Sequence, residues 1–309
     1  MSLRVTTNMM SSRYMRNINT NLSRLQKYEY QLISQNRLTA LSDDPVGVIK
    51  SMEARVRLGD IGRFKENVAD AKTWIKQSET SINELNEILK SVYEDVVGSA
   101  NSYLTPEDKA SVAEKVREMR DHVLTLGNSK LGDKYIFGGF NTAAPPFTLD
   151  AGGNVLYNSV SMSGASHPDE GKVIQYEIGY NLHTDVSMSG TQLLGMGDEN
   201  VYAILDKLYN ALKSDASAEE ISGYSKTLMD AQSRTLANLA EIGGKSNRLD
   251  LMSNRYEVDE LNFTEIKSKV EDVDVAEVTV QWKTAISVYN YALKVGATIL
   301  QNSLLDYIN

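Results

Sequence analysis

Apolar residues recur at alternating gaps of three and four over long stretches of the chain, a period that predicts helical rods and not short globular helices. The clearest seam is Ile61, Phe64, Val68, Ala71, Ile75, Ser78, Ile82, Leu85, Leu89, Val92 and Val96. At about 1.5 Å per residue, 61–96 alone is about 54 Å long. Ala71 and Ser78 are its small layers, where a partner backbone can come close. Its start is written in Ser42-Asp43-Asp44-Pro45, where Ser or Asp accepts from the free amides of the first turn and proline sits where no donor is required.

Thr105-Pro106-Glu107-Asp108 predicts a second cap, followed by Val112, Val116, Met119, Val123 and Leu126 and ended near Gly127-Asn128, so this helix folds back on the first. Leu249, Met252, Tyr256, Asp259, Phe263, Ile266, Val270 and Val273 make a matching seam with one polar intruder, and its natural mate is the 61–96 rod. The C-terminal segment carries two stripes, Val275, Thr279, Trp282, Ile286, Tyr289, Leu293, Gly296, Leu300 and Val278, Ala285, Ala292, Ile299. The N-terminal face Met15, Ile18, Leu22, Leu25, Tyr28, Leu32 can cover one of them. The second stripe needs neighbours from other copies of the chain, and we expect these terminal helices to order on assembly.

Between 132 and 198 the period shortens and turn residues punctuate it: Tyr135 to Phe137, Gly138-Gly139, Pro145-Pro146, Gly152-Gly153, then Lys172 to Ile178. Helix resumes near Glu199, with Val201, Ile204, Leu205, Leu208 and Leu212 on one face. The expected fold class is mainly α with a small β-rich inserted domain, on a long coiled-coil-like helical bundle formed by the N- and C-terminal segments. The expected domains are a terminal helical assembly region (1–43 and 271–309), a helical rod domain (44–131 and 199–270) and a β-rich outer domain (132–198).

Composition narrows the function. The formal net charge of -9 repels phosphate backbones, which argues against nucleic acid. With no cysteine, disulfide and thiolate chemistry are excluded. No stretch reaches the run of about 18 apolar residues of a spanning helix, so membrane insertion is not expected. The start of the chain lacks the apolar core of a cleaved signal. His122, His167 and His183 fall in three different elements without a carboxylate or imidazole at ligand spacing, and no nucleophile elbow, P-loop or dinucleotide fingerprint is present. Neither cofactor, metal nor catalytic residue is expected, and the chain does not read as an enzyme.

Arg4-Val5-Thr6-Thr7-Asn8-Met9-Met10, the helix through Leu22 and Leu25, and Ser42-Asp43-Asp44-Pro45-Val46-Gly47 resemble the N-terminal region of the bacterial flagellins and hook-associated proteins. Val270-Glu271-Asp272-Val273-Asp274-Val275-Ala276-Glu277 and the closing Ala297 to Tyr307 are similar to their C-terminal signature. Pro45 after the double Asp, with Tyr135-Ile136-Phe137-Gly138-Gly139-Phe140 and Pro145-Pro146-Phe147, resembles the hook-associated protein 3 group more than flagellin. The resemblance implies a secreted structural subunit, threaded through the flagellar export apparatus with an export chaperone and assembled outside the cell. It implies a ring of copies at the hook-filament junction, between hook-associated protein 1 and flagellin; a flagellin-type filament subunit is the alternative. The expected assembly interface is Ile18, Leu22, Leu25, Leu32, Val275, Val278, Trp282, Ile286, Tyr289, Leu293, Ile299, Leu300 and Leu304, with Ser42, Asp43, Asp44 and Pro45 as helix cap and family motif.

Overall fold

The structure, a computed structural model, describes residues 7–40, 42–101, 105–164, 166–169 and 171–305, with side chains left aside at 7–8, 100–101 and 298–305. Arg4 to Thr6, Asp306 and Tyr307 of the two motifs lie outside it, as do the side chains of Ile299, Leu300 and Leu304. Four long helices dominate the described residues: α1 (Thr7–Ser34), α2 (Pro45–Asn101) and, after α3 (Pro106–Gly127) and the middle segment, α6 (Ala218–Glu271) and α7 (Val275–Leu305). Between them lie short strands and the helices α4 (Gly190–Leu194) and α5 (Val201–Lys213). The chain forms two compact units, residues 1–61 with 258–309, and residues 62–257.

In the larger unit, every position of the α2 seam from Phe64 to Val96 is buried, Ser78 included. The Ser78 hydroxyl satisfies itself on the carbonyl of Trp74 (3.1 Å), which lets a polar residue occupy a core layer. α3 runs back along α2, as the pair Lys115–Asp95 (2.7 Å) and the Ser81–Ser129 contact (3.2 Å) show. Its start is a reciprocal capping box between Thr105 and Asp108, with Pro106 in the first turn. Its end is Gly127, whose missing side chain leaves room for the ring of Phe147. α6 lies antiparallel to α2, since Phe64 stacks on Tyr256 (5.9 Å) while Lys72 pairs with Asp250 (2.5 Å).

The middle segment holds three small antiparallel sheets: β1 (Lys130–Leu131) with β2 (Lys134–Tyr135); β3 (Phe147–Leu149), β4 (Val155–Tyr157) and β5 (Val160–Ser161); and β6 (Gln175–Gly179) with β7 (Leu182–Asp185). Two expected strands differ. Ile136 and Phe137 leave the strand for a turn that buries both side chains, and β6 starts at Gln175 instead of Lys172. Clean alternation in β6 is broken by a register shift between Glu177 and Gly179, which brings Ile178 and Gly179 together into the core.

These sheets share the core of the helices. Phe147 meets Tyr157 at 5.3 Å, and Gly190 at the start of α4 seats directly on both rings. The Tyr256 hydroxyl donates to the Ile178 carbonyl and Asn67 to the Glu177 carbonyl (2.7 Å), tying the β6–β7 hairpin to α6 and α2. The breaks between the two compact units fall inside α2 and α6, and 132–198 lies in the larger unit with parts of both rods.

Candidate assembly surface

The smaller unit joins the two ends of the chain. α1 and α7 form an antiparallel pair in which Ile18 and Val278 are buried. Leu22, Leu25, Leu32, Trp282, Ile286 and Tyr289 are half-buried, and Val275 and Leu293 are exposed. The pair is keyed by Tyr14. Its hydroxyl donates to the Ala292 carbonyl (2.9 Å), and its ring fills the notch left by the absent side chain of Gly296.

The inner end of the pair is stitched to its connections. Gln35 adopts a left-handed backbone (φ 55°), and Asn36 bridges Asp272 in an antiparallel contact. The amide of Arg37 donates to the Glu271 carbonyl (2.6 Å) and that of Val273 to the Gln35 carbonyl (3.1 Å). The Arg37 guanidinium donates to the Val270 carbonyl (3.1 Å). Beneath this bridge the buried Glu271 carboxylate takes two hydrogen bonds from Arg55 (2.6 and 2.8 Å) and one from the Ser51 hydroxyl. The Arg55 fork holds the Glu271 carboxyl below the usual glutamate range against the opposing effect of burial, and Ser51 adds to the shift.

The motif around Ser42 divides its work. Asp44 is the cap of α2: its side chain accepts from the amide of Gly47 (2.9 Å), its carbonyl from that of Val48 (2.9 Å), and Pro45 takes the first helical position. Asp43 closes the preceding loop, accepting from Lys27 (2.8 Å), the Thr39 hydroxyl (2.5 Å) and the amide of Ala40 (3.2 Å). Lys27 and then Thr39 hold its carboxyl far below the ordinary aspartate range. Ser42 is exposed.

Most of the large apolar side chains that the structure leaves exposed lie in this unit. On α1 they are Met9, Met10, Met15, Tyr30 and Ile33; on α7 Val275, Val280, Val288, Tyr291, Leu293 and Val295. Tyr291 is 67% exposed and Val280 65%, more than Leu293 at 43%. A groove of about 260 Å³ runs between the helices, lined by Arg24 and Tyr28 of α1 and by Val280, Thr284, Ala285 and Val288 of α7. Stripe reading selects residues that face inward, so it found Ile18 and Val278, which the α1–α7 pair itself covers. The exposed Val280, Val288, Tyr291 and Val295 lie off both stripes, and their only signal in the sequence is their being apolar. Glu271 stood in a quoted motif, but nothing in its spacing pointed to Arg55 and Ser51, more than two hundred positions away.

The histidines are dispersed. His167 is buried, its Nδ1 accepting from the amide of Asp169 (3.0 Å) and its Nε2 donating to the Tyr157 carbonyl (3.1 Å), while His122 and His183 are exposed. Among the described residues no cluster of three metal-ligating groups occurs, and no helix is long and apolar enough to cross a membrane.

Residues 5–142 match the family model described as the bacterial flagellin N-terminal helical region. Over 298 residues, 93% of this chain and 92% of the relative, the chain is 24% identical to flagellar hook-associated protein 3 of Escherichia coli (strain K12). It is 21% identical to flagellin of Bacillus subtilis (strain 168) over 291 residues, 89% of each. The crystal structure of the flagellar junction protein FlgL from Legionella pneumophila shares the fold, with a TM-score of 0.59 at 13% identity over 74% of this chain and 100% of that one.

Proposed function

We propose, on the premise that this chain belongs to the flagellin-like family of bacterial flagellar proteins, that it is a structural subunit acting as adaptor at the hook-filament junction. One observation carries the reading: α1 and α7 pair with each other and still present an apolar face of Val280, Val288, Tyr291 and Val295 that is exposed among the described residues. Burying a side chain of Val or Tyr size is worth roughly 1.5 to 3 kcal/mol, so the outward row of Val280, Val288, Tyr291 and Val295 on α7 is a strong drive to associate. The partners that fit are other copies in a ring, hook-associated protein 1 on the cell side and flagellin on the distal side. Delivery is by the flagellar export apparatus and its chaperone, and the work is mechanical and not catalytic.

Electron microscopy of cells lacking this chain tests it. Bare hooks with flagellin lost to the medium are the expected phenotype; normal filaments would overturn the reading. A flagellin-type filament subunit is the second reading, favoured by the likeness to flagellin along 89% of the chain. Long filaments formed by the purified chain alone would select it.

A further inference from the structure

Within the larger unit, α6 is fastened on both sides of a soft centre. On one side Asn238 donates to the Gln192 carbonyl (2.9 Å) and Arg234 pairs with Glu199 (2.6 Å). On the other, Asp250 pairs with Lys72 of α2 (2.5 Å) and the Tyr256 hydroxyl donates to the Ile178 carbonyl of β6. Between these fastenings Gly243 and Gly244 stand side by side in an unbroken helix of 54 residues. A side chain at either would meet nothing within 4 Å, so no neighbour among the described residues requires glycine there, although glycine is the least favourable residue after proline inside a helix. Such glycines are where long helices bend.

Two further features fall at the same level. The pairs Phe64–Tyr256 and Lys72–Asp250 set an antiparallel register that brings Ser78 of α2 abreast of Gly243. The Ser78 hydroxyl donates to the Trp74 carbonyl one turn back, a bond that weakens and bends its own helix. Beside Ile242 and Lys245 of α6 lies a cavity of about 200 Å³, walled by Ile75 of α2 and by Val173, Val186 and Met188. The Lys245–Glu241 pair (2.8 Å) spans the glycines, but an i,i+4 pair with a solvated carboxylate braces a helix only weakly.

We propose that Gly243-Gly244 is a flexure in the α6 rod, about which its two fastened halves tilt and so open and close the cavity against the 173–188 segment. The stretch from Gln192 to Glu199 moves with the first half, and the β6–β7 hairpin with the second. The rod thereby changes curvature while the buried seam residues on either side, Leu228 to Thr235 and Leu249 to Tyr256, keep their contacts. The flexure is a property of the larger unit alone and is independent of what the chain assembles with.

The chain has no cysteine, so Met188→Cys puts a single thiol in the buried wall of the cavity. The full-length chain is compared with Gly243→Ala/Gly244→Ala, by amide hydrogen exchange resolved peptide by peptide and by alkylation of Met188→Cys with iodoacetamide in each background. Amides of 244–248 are expected to exchange faster than those of 228–238 and 250–256. The two alanines, at roughly fivefold each, should slow these amides and the alkylation by about tenfold or more and leave the rest of α6 unchanged. Uniform exchange along α6 overturns the flexure, as does alkylation that the two alanines leave untouched. A slowing shared equally by α3 and α5 reports global stabilisation and overturns it as well.

Discussion

Single residues in the smaller unit are held by contacts whose loss can be read separately. A Cβ at Gly47 would strike the Asp44 carboxylate that caps α2, so Gly47→Ala is expected to unseat the cap at a cost of about 1 kcal/mol, measured by urea unfolding. Glu271 predicts a pH dependence. Its carboxyl is held low in the folded chain, so the unfolded chain takes up the proton first as pH falls. The contribution of the clasp is therefore complete above about pH 4.3 and is lost as pH drops through the lower folded value. Arg55 is 60% exposed along its side chain, so water screens the pair and the effect is modest. Glu271→Gln should flatten the acid limb of unfolding followed by the fluorescence of Trp282 in a Trp74→Phe background; an unchanged limb would remove the clasp from the account.

Among elements, what was legible in the sequence was the part set by local period. The α2 seam, the Thr105 cap and the buried face of α5 all lie where spacing and capping chemistry place them, because each depends on residues a turn or two apart. The three small sheets were visible as turns and short runs, but their limits were not, since Phe147, Tyr157 and Gly190 settle them by meeting across forty positions. The pairing of α1 with α7 was foreseen as a need of the stripes; its key, Tyr14 in the notch of Gly296, was not. Gly296→Val fills that notch and should open the pair by about 1–3 kcal/mol, with faster hydrogen exchange confined to α1 and α7. Tyr14→Phe, which keeps the ring and removes one hydrogen bond, should cost about 1 kcal/mol.

At the scale of the whole molecule, the proposed function has folding and association draw on different apolar faces, and mutation should separate them. Leu293→Asp adds a charge to an exposed side chain, so it should leave the larger unit's unfolding midpoint within error while abolishing assembly in cells, scored by motility and microscopy. Normal filaments in that strain would remove Leu293 from the interface. The antiparallel pair at the chain ends also has a mechanical grain. It is stitched at residues 35–37 and 270–273, and from that stitch the described parts of both helices run side by side toward the termini. Tension applied between the two extremities peels the pair apart one turn after another, at low force. A pull on one extremity against the stitch loads every turn in shear together, so the same contacts yield easily to one direction of strain and resist the other.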